Sequence, residues 1–347
     1  MYIKDCFAIS PQRTFDDQFE KGHVEIHEEK VYSAIEPNYA EFIPAGLLRR
    51  MGKAVRMGIG AAMPLLKRNG QPEGIIIGTA NGGLENCIQF LNQIVEYDEG
   101  VLTPTHFVQS TPNALAGQLA LMTENTGYNN THINGSLAFE NALLDADMYL
   151  ENLDYPSTLL VGAVEEISEY NYNIDLLADR YKQERVSNDH LLASQTPGTV
   201  CGEGSTMFII GNEKENSIAE IVDFEQINFL EIEKLNATLA AFLQKNQLSI
   251  DAIDLVLLGK NGDNRFDNWY ETLENNLLKN NRIGYYKPYV GEYRTSSAFA
   301  VYYAVQLLNG KCKNDTLQPD EYSKSPKTVL LYNHFEGLRH SIILIKK

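Results

Sequence analysis

The sequence predicts an internally duplicated α/β protein whose sheets are covered by helices on both faces. Three observations carry this. Short apolar runs such as GIIIG at 74–78 and IDLVLL at 253–258 read as strands buried on both sides. They alternate with helical patterns, and the alternation runs through once before residue 212 and again, at lower amplitude, after it. At 347 residues the chain is also longer than one core usually supports, so we divide it into halves at 1–212 and 213–347.

The elements follow in order. Residues 1–9 suggest a first strand, and the polar stretch 16–41, rich in Glu and aromatics, an elaborated surface loop. Over 46–68 the residues Leu47, Leu48, Met51, Val55, Ile59, Ala62 and Leu66 share one helical face, with Pro64 bending the last turns. Arg49, Arg50, Lys53 and Arg56 occupy the other face, either a solvated surface or a docking patch for an anionic partner. The run at 74–78 leads into a Gly-rich turn that lacks G-x-G-x-x-G spacing, so a tight strand–helix connection outweighs a phosphate cradle. Residues 102–110 read as extended, and Pro112 opens another helix. At 127–150, GYNNTHINGSLAFENALLDADMYL, a short strand passes through Asn134-Gly135-Ser136 into a helix with apolar residues at helical spacing. Strands at 157–163 and 205–211 flank a polar, helix-like stretch at 175–194 and a Gly-rich turn at 197–204. In the second half, strands fall at 218–224, 253–258 and 283–286, helices at 231–245, 266–279 and 296–308, and a closing strand pair at 328–332 and 341–345.

A formal charge of −17 argues against a nucleic-acid partner. No apolar run reaches the length of a membrane span and the N-terminus lacks a signal pattern, so a cytoplasmic protein is expected. Cys6, Cys87, Cys201 and Cys312 are widely spaced without C-x-x-C, which speaks against disulfides or zinc; no metal or cofactor is expected.

Six landmarks in order resemble the β-ketoacyl-acyl carrier protein synthases over nearly the whole chain: IIIGTANGGL at 75–84, PNALAGQ at 112–118, the 127–137 segment, GAVEE at 162–166, GEG at 202–204, and Asn333-His334-Phe335 followed by Glu336-Gly337. The resemblance implies a thiolase-like fold, with two duplicated β/α halves forming a five-layer αβαβα core. It also implies a mechanism in which a cysteine at a helix N-terminus takes an acyl chain and two histidines stabilise an enolate. Residue by residue, that chemistry is missing here. Ile133 falls on the cysteine, Gly259 on the first histidine and Glu292 on the second, with Lys287 and Gly291 kept beside it. An alkyl side chain forms no thioester, and Lys287 paired with Glu292 in the emptied pocket is the plainest structural reading.

Other residues near this pocket are His132, Ser136, Lys287, His334 and Phe335. Ser136 reads as an N-cap or small core residue. His132 precedes a position expected to be buried and is expected on the opposite side of the strand. The resemblance favours a non-catalytic subunit similar to the chain-length factors of type II polyketide or polyene systems. Such a subunit pairs with an active ketosynthase through the strand leading to Ile133 and helps shape an acyl tunnel. Arg49, Arg50 and Lys53 then face an acyl carrier protein. The alternatives are an independent acyltransferase or hydrolase with a non-cysteine nucleophile, and a homodimeric acyl- or carrier-binding module.

Overall fold

The computed structural model describes residues 1–312 and 325–347. Ten strands form its main sheet. The first half supplies β1 (Tyr2–Ile9), β2 (Gly74–Gly78), β3 (Tyr128–His132), β4 (Thr158–Glu165) and β5 (Gly204–Gly211). The second half supplies β6 (Ala219–Asn228), β7 (Leu255–Leu258), β8 (Ile283–Tyr285), β9 (Thr328–Phe335) and β10 (Arg339–Lys346). Their spatial order is β8-β7-β9-β10-β6-β1-β5-β4-β2-β3. The two five-strand sets therefore repeat one topology, 1-5-4-2-3 and 6-10-9-7-8. Directions repeat as well: the first and fifth strands of each set pair antiparallel, and so do the fifth and fourth. The inner pairs β4–β2, β2–β3, β9–β7 and β7–β8 are parallel. The sets join only through a short antiparallel contact of β1 with β6, Tyr2 opposite Glu220 and Ile3 opposite Ala219.

Strand residues alternate between two cores, as the period of two demands. In the first half Ile76, Val161 and Phe208 face inward, while Ile75, Ile77, Leu160 and Ile209 face outward. The outward set is covered by α1 (Lys53–Asn69) and by α4 (Ala114–Thr123), which follows α2 (Leu84–Glu96) and α3 (Pro104–Val108). The inward set packs on α5 (Ala138–Glu151), which is followed by α6 (Glu169–Leu177). In the second half Val256, Leu258, Leu330 and Leu344 pack beneath α7 (Leu235–Lys245) and α8 (Asp267–Glu274). Leu257, Leu331 and Ile343 instead join the central core with α10 (Ser297–Leu308), which succeeds the single turn α9 (Lys287–Val290). The layers run α, β, α, β, α, the thiolase-like arrangement. Each fully buried Ile or Leu in them contributes about 2 kcal/mol of transfer free energy.

Four expectations need correcting. The helix expected over 46–68 is broken: a single turn at Ala45–Leu48 precedes α1, with Arg49–Gly52 between. Gln109 holds the break, accepting from Gly52 N at 2.5 Å and donating to the Arg50 carbonyl. Residues 102–110 are not extended, because Thr103-Pro104 starts a helix where proline's fixed φ suits the first turn. The stretch 175–194 is mostly irregular; α6 ends at Leu177, and Asp179 with φ 55° turns the chain away. The loop at 16–41 is anchored by buried Phe19 and by Val31–Tyr32, which pairs with Cys201–Gly202. Among the described residues no helix is long and apolar enough to cross a membrane.

Candidate functional site

The strand–turn–helix at 127–150 folds as expected. β3 ends at His132, Gly135–Leu137 makes one 3-10 turn, and α5 begins at Ala138. Gly135 has φ +69°, the left-handed region that favours glycine; a Cβ there would meet only the far end of the flexible Arg339 side chain. Arg339 Nη1 donates to the Asn134 carbonyl at 2.8 Å, tying the turn to the start of β10.

Ile133 is 57% exposed in this chain, against the expectation of a buried position. His132 turns toward α5, where its Nε2 donates to Asp145 Oδ2 at 2.8 Å. Asp145 also accepts from Asn130 Nδ2 at 2.8 Å and Tyr128 OH at 3.0 Å. This carboxylate orients the imidazole, but no nucleophile follows it. Ser136 Oγ is buried without a hydrogen-bond partner among the described residues, so the pair needed for nucleophilic catalysis is not assembled.

The two positions expected to stand in place of histidines, Gly259 and Glu292, are both closely packed. A Cβ on Gly259 would collide with Asn333 Oδ1, so the asparagine leans into the space a larger residue would need. At the second position Glu292 Oε2 accepts from Lys287 Nζ at 2.5 Å and from Asn261 Nδ2 at 2.6 Å. Lys287 is fully buried, on α9. The expected Lys287–Glu292 pair is thus present, with Asn261 as a third member.

Beside Glu292 a cleft opens under the β9–β10 turn. A neighbouring cleft shares Tyr181, Tyr293 and Arg294 with it. His334 and Phe335 line the first cleft, as the sequence suggested. The His334 ring stacks on Tyr270 with centroids 4.6 Å apart, and its Nδ1 accepts from Gly337 N at 3.2 Å. Burial, with the charges of Lys287 and His340, holds its pKa well below the ordinary histidine value, so the ring is neutral and a poor general acid. His340, pushed down to about 4 by burial, bonds Tyr332 OH and the Gly337 carbonyl inside the hairpin. The turn itself is tethered by charge: Arg180 Nε donates to Glu336 Oε1 at 2.7 Å, and the Arg294 guanidinium lies 3.8 Å from the Phe335 ring centroid.

Of the three cations expected on a docking face, Arg49 and Arg50 are exposed, whereas Lys53 turns inward to the buried carboxylate of Glu203. Arg56 is likewise spent, on a two-bond pair with Glu36. The sequence reading missed the buried acids Glu140, Glu165 and Glu166. Burial pushes Glu165 and Glu166 up to about 7, and Glu140 upward. The Glu-Glu pair ending an otherwise apolar strand was the available signal. It also missed Arg294, two residues beyond Glu292.

Residues 25–187, somewhat less than half of the chain, match the family described as beta-ketoacyl synthase, N-terminal domain. Among curated proteins none matches the sequence. Several hundred solved chains share the fold. One is the ishigamide ketosynthase/chain length factor, with TM-score 0.78, 12% identity, and 100% of this chain and 98% of that chain covered. Another is a ketosynthase in complex with its chain length factor from Xenorhabdus doucetiae, with TM-score 0.76, 14% identity, and coverage of 99% and 97%. A third is a type II polyketide synthase acyl-carrier protein in complex with its ketosynthase bound to the hexaketide, at 0.70, 15%, 99% and 98%. The chain therefore has the thiolase-like fold shared by those ketosynthases and chain length factors, and its residues 25–187 are similar to the beta-ketoacyl synthase N-terminal domain.

Proposed function

We propose that this chain is a non-catalytic, chain-length-factor-like subunit that pairs with a cysteine-bearing ketosynthase. The observation that carries the reading is an unfinished apolar surface around β3. β3 is the outermost strand of its end of the sheet, with unpaired backbone groups on its free side. The arm formed by α2 and α3 contains Leu84, Ile88, Phe90, Leu91, Ile94, Val95, Phe107 and Val108, none of them fully buried. Leu91, Val95, Phe107, Val108, Leu121, Ile133 and Met148 are each more than half exposed. A surface of this kind is expensive to leave in water and is what a protein interface covers. Strand pairing across β3 would cover Ile133 as well.

Two related structures are complexes, a ketosynthase with its chain length factor and a ketosynthase with its acyl-carrier protein. By analogy Arg49 and Arg50 serve an acidic carrier protein, without Lys53. The partner supplies the sulfur and the imidazoles that Ile133, Gly259 and Glu292 do not.

Co-expression with cysteine-bearing ketosynthases from the same genome, followed by tandem affinity purification and intact-mass measurement, tests this. A stoichiometric pair with acyl adducts on the partner alone is expected. An acyl adduct on this chain, or acyl-thioester turnover by it in isolation, would overturn the reading.

A further inference from the structure

We propose that the cleft under the β9–β10 turn is a receptor for a small aromatic carboxylate, held by the guanidinium of Arg294. Among the described residues no aliphatic side chain lines this cleft; its walls are charged, amide, hydroxyl and aromatic. That lining solvates a saturated acyl chain poorly and favours a ligand with an oxygen anchor and a flat apolar body.

The anchor is the one cation of the cleft whose donors are unspent. Asp175 is held by Arg180 at 2.8 Å, Glu336 by the same Arg180 at 2.7 Å, Asp263 by Arg265 at 2.6 Å, and Glu292 by Lys287 at 2.5 Å. Arg294 makes no hydrogen bond among the described residues, and its nearest carboxylate oxygen, on Asp175, lies 3.8 Å away. Its guanidinium carbon lies 3.8 Å from the Phe335 ring centroid, and a guanidinium without hydrogen bonds can take a carboxylate through two parallel bonds. Arg294 lines both clefts at their junction, and Phe266, Phe335, Tyr181 and Tyr293 supply aromatic walls around it.

The inference stands apart from pairing with a synthase, since an Arg294→Gln chain should still co-purify with its partner. The test is calorimetric titration of the full chain with phenylacetate and, separately, with phenylacetamide, which has the same shape without the charge. Saturable one-to-one binding of phenylacetate is expected, with phenylacetamide at least tenfold weaker and Arg294→Gln losing at least tenfold for the acid. No binding of phenylacetate, equal binding of acid and amide, or an Arg294→Gln chain that binds as the unaltered one would each overturn the proposal. Should that variant fail to fold, the acid–amide comparison on the unaltered chain decides alone.

Discussion

The two halves share one strand order but not one surface. Among the described residues the second half leaves only Phe229 and Leu338 as strongly exposed large apolar side chains. The first half leaves many, concentrated on the α2–α3 arm, α4, the end of β3 and α5. Their interiors differ in the opposite sense. In the first half the strand–turn–helix at 127–150 leaves Ile133 exposed at the end of β3. In the second half Asn333 crowds Gly259, and Lys287, Glu292 and Asn261 form a hydrogen-bonded charged network. One half closes the space around Lys287 with a charged network, beside an open cleft, and is finished outside; the other is incomplete outside. The difference teaches that the charged interior and the uncovered apolar surface lie in different halves.

The charged interior predicts the largest effect. Lys287→Ala strands the buried carboxylate of Glu292 and is expected to cost about 3–5 kcal/mol in urea unfolding. Lys287→Met with Glu292→Leu removes both charges and should recover most of that loss. Equal losses in the single and double variants would show that the pair does not close the space around Lys287. The open surface predicts a different signature. Leu121→Glu should weaken association with a partner at least a hundredfold by sedimentation or affinity capture, with the melting temperature of the isolated chain nearly unchanged. Phe229→Glu, on the finished half, should do neither. If both substitutions behave alike, the contrast between the surfaces has no functional content.

Much of this was legible in the sequence because burial on two faces leaves a plain signature. GIIIG and IDLVLL are strands, and Asn134-Gly135-Ser136 is the turn. The pairing of Lys287 with Glu292 was legible through the resemblance, which put both residues in one pocket. The break at Arg49–Gly52 was not, because the residue holding it is Gln109, far along the chain. Nor was the inward turn of Lys53, set by Glu203, or the exposure of Ile133 at the end of β3. Periodicity reports which face is apolar; it does not report what covers it.

The buried acids of the first half sharpen the contrast through pH. Glu165 accepts from Ala80 N and Asn81 N, and Glu166 from Ala54 N. Burial raises both from the ordinary 4.5 to about 7, so each takes up a proton on folding between those values. Their contribution to stability is full below that window and is lost as pH rises through about 7. Each such shift corresponds to about 3 kcal/mol. Glu165→Gln should flatten the fall in stability between pH 5 and 8 by roughly that amount, read from denaturant midpoints across the range. An unchanged pH profile would mean that the carboxyl is solvated in the folded chain.

The smallest effect is expected where the finished half meets the irregular segment after α6. Arg180 bridges the buried Asp175 to Glu336, but Arg180 is more than a third exposed and Glu336 about a quarter. Ion pairs in such positions contribute less than about 1 kcal/mol. Glu336→Ala should therefore leave global unfolding unaltered and act only locally. Amide exchange at 335–339 and near 180 should rise by up to about fivefold, the factor that about 1 kcal/mol of lost local stability allows. A drop in global stability would make the tether part of the core. Unaltered exchange would leave the turn held by Phe335 on Arg294 and by Arg339 on the Asn134 carbonyl alone, and the finish of this half would then owe nothing to Glu336.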